Sequence, residues 1–274
     1  MRIVRFSDDQ GQIHLGQIPA GDIPAQAQLL DGDLFGGLKP TGKTARIARL
    51  LAPLSPVNIF CIGLNYREHA KESNSPIPEN PVVFMKPTTC ATNPGDAILL
   101  PKTCNQGPEV DYECELAIVI GKKARDVSEA DALSYVLGYT AANDVSARKW
   151  QRNGGGGQWI RGKSFDTFCP LGPAIVTAGG GDDSIADPQA LKLTTTIDGN
   201  RMQDGCTDDM IFPVRTLVSF LSRDTTLLPG TIILTGTPPG VGFARNPPAF
   251  LKAGDQVTVE VEKVGKLTNP VKAG

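Results

Sequence analysis

Short apolar runs rich in β-branched residues, cut at close intervals by glycine and proline, set the pattern of this chain. Arg2–Phe6 (RIVRF) and Gln12–Leu15 (QIHL) read as short strands around a glycine-containing turn. Leu51–Val57 carries two prolines and reads as a linker, after which Asn58–Leu64 (NIFCIGL) opens an apolar strand. Further strands are expected at Val82–Met85, Ala97–Leu100, Asp111–Ile120, Ala174–Val176, Lys192–Ile197, Thr231–Thr235 and Gln256–Glu262. Helical pattern is scarce. Ser128–Tyr135 begins with a serine and places Asp131 three residues on, a weak capping box, and Arg215–Ser222 is the other helical piece. Residues 65–81 are polar and proline-rich, a loop or lid with at most a short helix. Strands dominate and do not alternate with helices, which disfavours a doubly wound sheet. The expectation is a mainly β fold with some α.

Composition narrows the function. The 274 residues suit one large domain, or a large one with a small companion. Basic and acidic residues number 27 and 29, a balance that predicts neither a nucleic-acid groove nor a membrane-binding face. The start, MRIVRFSDDQ, lacks a signal-peptide core, and no apolar run approaches ~18 residues, so a cytoplasmic location is expected. Six cysteines without C-x-x-C spacing read as reduced, buried thiols. With only His14 and His69, histidine-rich zinc sites are excluded. Gly154–Gly157 is the one low-complexity tract.

Gly37–Thr44 (GLKPTGKT) spells a phosphate-binding loop. Its surroundings disagree: no clean apolar strand precedes it, and Pro53 stops the chain soon after. A surface turn is expected there, with nucleotide binding the remote alternative.

The strongest chemical signal is Gly107–Gly121 (GPEVDYECELAIVIG). In a strand, Asp111, Glu113 and Glu115 share one face, and the apolar run Leu116–Ile120 marks a strand covered on both faces. Carboxylates leading into such a strand are costly unless a cation offsets them. Hard divalent ions suit oxygen ligands of this kind. The opposing reading is a solvated acidic face. Glu260 and Glu262 repeat the E-x-E spacing within a clean apolar alternation and are expected to be half-exposed and structural. Asp144 ends a weakly apolar stretch and is either a third ligand or a helix cap. His69 and Glu72 share a helical face if Tyr66–Glu72 turns, which makes His69 a carboxylate-supported base or a surface residue. His14 reads as structural. Lys163 follows the glycine tract and either faces an anion or is solvated. Leu234–Gly242 (LTGTPPGVG) is a plain turn or an anion nest.

Taken in order, GLNYREHAKE, FMKP, DYECELAIVIGK, YTAANDVSARKWQ, RGKSFDTFCPLGP and ILTGTPPGVG resemble the fumarylacetoacetate hydrolase family, especially its bacterial acylpyruvase and 2-hydroxyhepta-2,4-diene-1,7-dioate isomerase-like members. The resemblance runs from about Asn58 to the end of the chain. It implies a mixed β-sandwich roll at 58–274, preceded by a small β-rich module at 1–52, commonly as a homodimer. Glu113, Glu115 and Asp144 would hold Mg²⁺, with Mn²⁺ or Ca²⁺ as substitutes. His69 and Glu72 would be a base pair on a lid, Lys163 the cation facing an enolate, and Arg148, Gln151 and Thr237 substrate contacts. Lys149 departs from the acid that many relatives carry there. The implied reaction is hydrolytic C–C cleavage of an acylpyruvate-like 2-oxo acid. The alternatives are oxaloacetate-type decarboxylation and 2-hydroxy-dienedioate isomerisation at the same metal.

Overall fold

Hairpins with glycine in their turns begin the chain in the computed structural model, which describes residues 1–152, 157–181 and 183–274. β1 (Arg2–Ser7), β2 (Ile13–Ile18), β3 (Gln26–Asp33) and β4 (Gly37–Arg46) pair antiparallel in succession, and β5 (Arg49–Leu51) returns beside β1. Next come β6 (Ile59–Gly63), α1 (Arg67–Glu72), β7 (Val82–Lys86), β8 (Ala91–Thr92) and β9 (Ile98–Leu100). The middle of the chain holds β10 (Val110–Asp111), β11 (Cys114–Ile120), β12 (Val136–Asn143) and β13 (Ser146–Ala147), then α2 (Arg148–Arg152) and α3 (Trp159–Lys163). The rest is β14 (Cys169–Thr177), β15 (Lys192–Ile197), β16 (Asn200–Cys206), α4 (Val214–Ser222), β17 (Ile232–Leu234), β18 (Gln256–Val261) and β19 (Gly265–Ala273).

The large sheet runs β4-β3-β2-β1-β14-β12-β11-β17-β6-β7, and a second sheet runs β16-β15-β18-β19-β9. Pairing is mixed: β17 and β6 are parallel, whereas β11 is antiparallel to both of its neighbours. The N-terminal strands join the large sheet through β1 and β14, with Ile3 opposite Ile175. Leu116, Ile118 and Ile120 of β11 pack into one core with Leu193, Val259 and Val261 of the second sheet. Ala117 and Val119 enter the opposite core with Ile59, Ile175 and Ile232. The unbroken apolar run therefore lies in a strand covered on both faces, and the layers form the expected mainly β sandwich. α4 starts one residue earlier than expected, behind Pro213, and buries Val214, Leu217, Val218 and Leu221, one stripe of the helix.

Three expected elements differ. The strand Asp111–Ile120 divides into β10 and β11 because side chains replace ladder partners between them. Asp111 accepts the Tyr112 and Gly242 amides, Glu113 N donates to the Asn143 side chain, and Cys114 N donates to Gln203. At Ser128–Tyr135 the Ser128–Asp131 hydrogen bonds form, yet only Ala132–Tyr135 winds, as a 3-10 turn. The chain enters β12 at Val136, too soon for a helix to propagate. Gly37–Thr44 is an exposed terminal strand instead of a turn. It pairs with β3 and is followed by β5, so no helix receives it and the phosphate-loop reading falls. Gly154–Gly156 of the glycine tract lie outside the described residues. The six cysteines are free, four of them buried, and no helix among the described residues is long and apolar enough to cross a membrane.

Candidate metal and catalytic site

The ends of β11 and β12 build an acidic cluster. Glu115 is the second residue of β11 and sits opposite Ala142, while Asp144 follows β12 and donates its amide to the Glu113 carbonyl at 2.9 Å. This register brings ligand oxygens of Glu113, Glu115 and Asp144 within 4.8 Å of one another, all three residues buried. Asp111, expected on the same face, is drawn away. Its carboxylate accepts the Gly242 and Phe243 amides and the Arg148 Nε at 2.7–3.0 Å.

Three cations face these acids. Lys163 Nζ donates to Glu113 Oε2 at 2.7 Å and to Asp144 Oδ2 at 2.8 Å. Arg148 reaches Glu113 Oε1 at 2.7 Å, and Lys86 Nζ lies 2.7 Å from Asp144 Oδ1. Burial works to raise the Glu113 carboxyl, but Lys163 and Arg148 outweigh it and hold that group at about 2. Among the described residues Glu115 has no ion-pair partner. It accepts the Gly236 amide at 2.6 Å, while burial, reinforced by Asp144 and Glu113, pushes it well above the usual carboxylate range. A buried set of hard oxygen donors whose third member has no ion-pair partner among the described residues could hold a divalent ion.

His69 lies on α1, and its Nδ1 is 2.7 Å from Glu72 Oε1. The other Glu72 oxygen accepts the Gly240 amide at 2.9 Å, from the TPPGVG turn. An ionised carboxylate only accepts, so Nδ1 is the donor in this contact, and in a neutral imidazole Nε2 is then the acceptor. His69, Glu113, Glu115, Lys163, Arg148, Gln151 and Thr237 line one cavity of about 140 Å³, and Glu72 and Asp144 bond to the lining residues His69 and Lys163. The larger concavity of about 800 Å³, near Leu100 and Phe250, holds none of these residues.

The three expected substrate contacts are already engaged with protein. Arg148 Nη1 donates to Gln151 Oε1 at 2.9 Å, and Thr237 Oγ1 donates to the Cys114 carbonyl and accepts from Gln203. Lys149 donates its amide to Glu109 and its ammonium to the Gln106 carbonyl, and is not part of the cavity wall. His14 is tied to Asp8 across the first hairpin at 2.8 Å, a partner that helical spacing does not reveal. Lys86, the lysine of FMKP, has no role assigned from the sequence. It is buried, donates to the carbonyls of Val145, Lys163 and Phe168, and so joins Asp144 to the segment carrying Lys163.

Residues 58–272 match the fumarylacetoacetate (FAA) hydrolase C-terminal family, and residues 1–53 match the Rv2993c-like N-terminal family. Human "Oxaloacetate tautomerase FAHD2A, mitochondrial" is 48% identical over 222 residues, 81% of this chain and 68% of that protein. A Dictyostelium discoideum fumarylacetoacetate hydrolase domain-containing protein 2 homolog is 50% identical over 229 residues, 82% of this chain and 74% of the other. Among solved structures, a 5-carboxymethyl-2-hydroxymuconate delta-isomerase from Mycobacterium smegmatis superposes with TM-score 0.85 at 40% identity, covering both chains in full. A 2-hydroxyhepta-2,4-diene-1,7-dioate isomerase from Mycobacterium marinum does so with TM-score 0.84 at 40% identity, covering 100% of this chain and 98% of that one.

Proposed function

The chain belongs to the fumarylacetoacetate hydrolase family, and from that premise we propose that it is a divalent-metal-dependent enzyme that interconverts enol and keto forms of a small 2-oxo acid. The observation that carries this reading is the joining of the acidic cluster and the His69–Glu72 pair in one cavity of about 140 Å³. A space this small, against the ~300–1,000 Å³ of drug-sized sites, suits a short acid. The relatives named as oxaloacetate tautomerase and dienedioate isomerase favour proton transfer over the hydrolytic cleavage that the sequence first suggests.

Glu113, Glu115 and Asp144 would hold Mg²⁺, Mn²⁺ or Ca²⁺, which when bound supplies a Lewis acid that stabilises negative charge on the 2-oxo group. His69 Nε2 takes the proton from the enol oxygen and returns one to carbon, or the reverse. Glu72 fixes the tautomer and stabilises the imidazolium formed between these two steps. Lys163 has three donors, two of them engaged by Glu113 and Asp144, and the third is available to the enolate oxygen. Residues 58–274 carry this chemistry, residues 1–52 are an accessory module, and the reading extends to a cytosolic homodimer.

The test is the decay of enol oxaloacetate absorbance with protein and Mg²⁺, against protein with chelator and against buffer. The expected result is a metal-dependent excess rate with keto oxaloacetate as product. Release of CO₂ and pyruvate as the main outcome assigns the decarboxylase branch instead. Cleavage of acetylpyruvate to pyruvate and acetate, with oxaloacetate untouched, returns the hydrolase.

A further inference from the structure

One wall of the cavity is apolar, and the chemistry described so far makes no use of it. Phe84 of β7 and Trp159 of α3 meet there edge to face, with ring centres 5.7 Å apart and 71° between their planes. The Phe84 ring centre also lies 5.1 Å from Lys163 Nζ, so this wall begins beside the reacting end of the site. Both rings line the cavity of about 140 Å³. Both also line a second concavity of about 620 Å³, together with Val82, Val83 and Ile160. Phe84 and Trp159 are therefore the partition between the site and an outer groove.

The two rings are held differently. Phe84 is buried and shares a core with Ile59 and Cys61. Trp159 is 38% exposed and is the first residue of a five-residue helix. Gly63, the last residue of β6, is what lets its indole close inward. A β-carbon there would stand 2.6 Å from Trp159 Cζ3, well inside the ~3.5–4.0 Å at which carbon atoms pack. The indole is thus seated on bare backbone and on one ring edge, with water on its other side, and its removal opens no core. The groove beyond it is walled by Val83 and Ile160, both exposed apolar side chains.

We propose that Trp159 sets the length limit of the substrate: its indole, closed over Gly63 and against Phe84, stops the carbon chain of a 2-oxo acid at the cavity wall, and without the indole the chain continues into the outer groove. The inference rests on the 2-oxo acid reading above and adds a size limit to it. Burying an apolar chain is worth roughly fourfold in affinity per methylene, so a wall of this kind is read out in tail length.

Two non-enolising mimics separate this from the chemistry. Oxamate and N-hexyloxamate share a 2-oxo-acid-like head and differ only in the alkyl tail. Calorimetric titration of the Mg²⁺-loaded protein measures both, with oxamate as the reference for an intact site in each variant. The wild type should bind N-hexyloxamate no tighter than oxamate. Trp159→Ala should bind it at least about tenfold tighter than oxamate, which two buried methylenes suffice to supply. Trp159→Phe, which keeps a shorter ring beside Phe84, should fall between the two. Tighter binding of the hexyl compound by the wild type, or a Trp159→Ala ratio equal to that of the wild type, would overturn the proposal. Where Trp159→Ala does not fold, a wild-type ratio in Trp159→Phe has the same force. Failure of the wild type to bind oxamate at all overturns the length limit together with the 2-oxo acid reading. The expected ratios without turnover of enol oxaloacetate leave the length limit standing, and the tautomerase reading fails alone.

Discussion

Two strands of this protein carry the same E-x-E spacing and put it to opposite uses. In β18, Val257, Val259 and Val261 are buried while Glu260 is half-buried; Glu262, just past the strand, is exposed, and its carboxylate accepts only the Lys192 amide among the described residues. At the start of β11, Glu113 and Glu115 are buried with Asp144, and three buried cations close around Glu113 and Asp144. The carboxylates themselves do not distinguish the two. The surroundings do: strict alternation leaves one face of β18 in water, whereas the unbroken apolar run of β11 requires cover on both faces and carries its acids into the interior.

The sharpest way to break this contrast is to remove one acid from each strand. Glu115→Ala should reduce turnover to background. It should also abolish stabilisation by Mn²⁺, which for the intact site amounts to ~2.7 kcal/mol at a hundredfold excess over Kd. Glu262→Ala should leave both readings where they were, with stability within ~0.5 kcal/mol. Thermal unfolding with and without Mn²⁺ measures both variants on one scale.

Next in size is the base. His69→Ala should lower turnover of enol oxaloacetate by ~10²–10⁴-fold while the Mn²⁺ stabilisation persists, which separates metal holding from proton transfer within the buried cluster. Glu72→Ala should act in the same direction and more weakly, and the double variant should be little worse than His69→Ala, because the pair works as one unit. Stopped-flow rates for the three variants decide it; additive losses would separate their roles.

The third contrast concerns lysines. Lys86 is buried against Asp144, whereas Lys192 meets Asp204 at 3.3 Å with both side chains at least half exposed. Lys86→Met takes one of two ammonium groups from the buried Asp144 and leaves three carbonyls without that donor, and should cost ~3–5 kcal/mol in urea unfolding. Lys192→Met should cost at most ~1 kcal/mol. Similar midpoints for the two would show that Lys86 does not hold the cluster together.

What could be read in advance follows the same logic. The Glu113–Glu115 pair stood out because an apolar run follows it. Asp144 was ambiguous because an aspartate after a strand serves equally as a helix cap, and only its backbone pairing with Glu113 places it beside the two glutamates. Lys86 was hidden by a misleading parity. In Val82–Lys86 the exposed positions are Val83 and Met85, while Phe84 and Lys86 point inward, so apolar residues stand outside and the charge inside. Nothing in five residues announces that three backbone carbonyls from distant segments wait for that ammonium. The break at Tyr112 and Glu113 was equally unreadable, since it depends on Asn143, Gln203 and Gly242, which fold back from elsewhere in the chain.

The segment that spells a phosphate-binding loop has a different consequence as the outermost strand of the large sheet. β4 pairs only with β3 among the described residues, and its free edge would invite another chain to add on. Pro40 lacks the amide such an addition needs, and Lys39 and Lys43 are exposed charges that repel a second copy. Glycine, proline and lysine at these positions blunt the sheet's end, so the residues that imitate a nucleotide grip instead help keep the protein from aggregating.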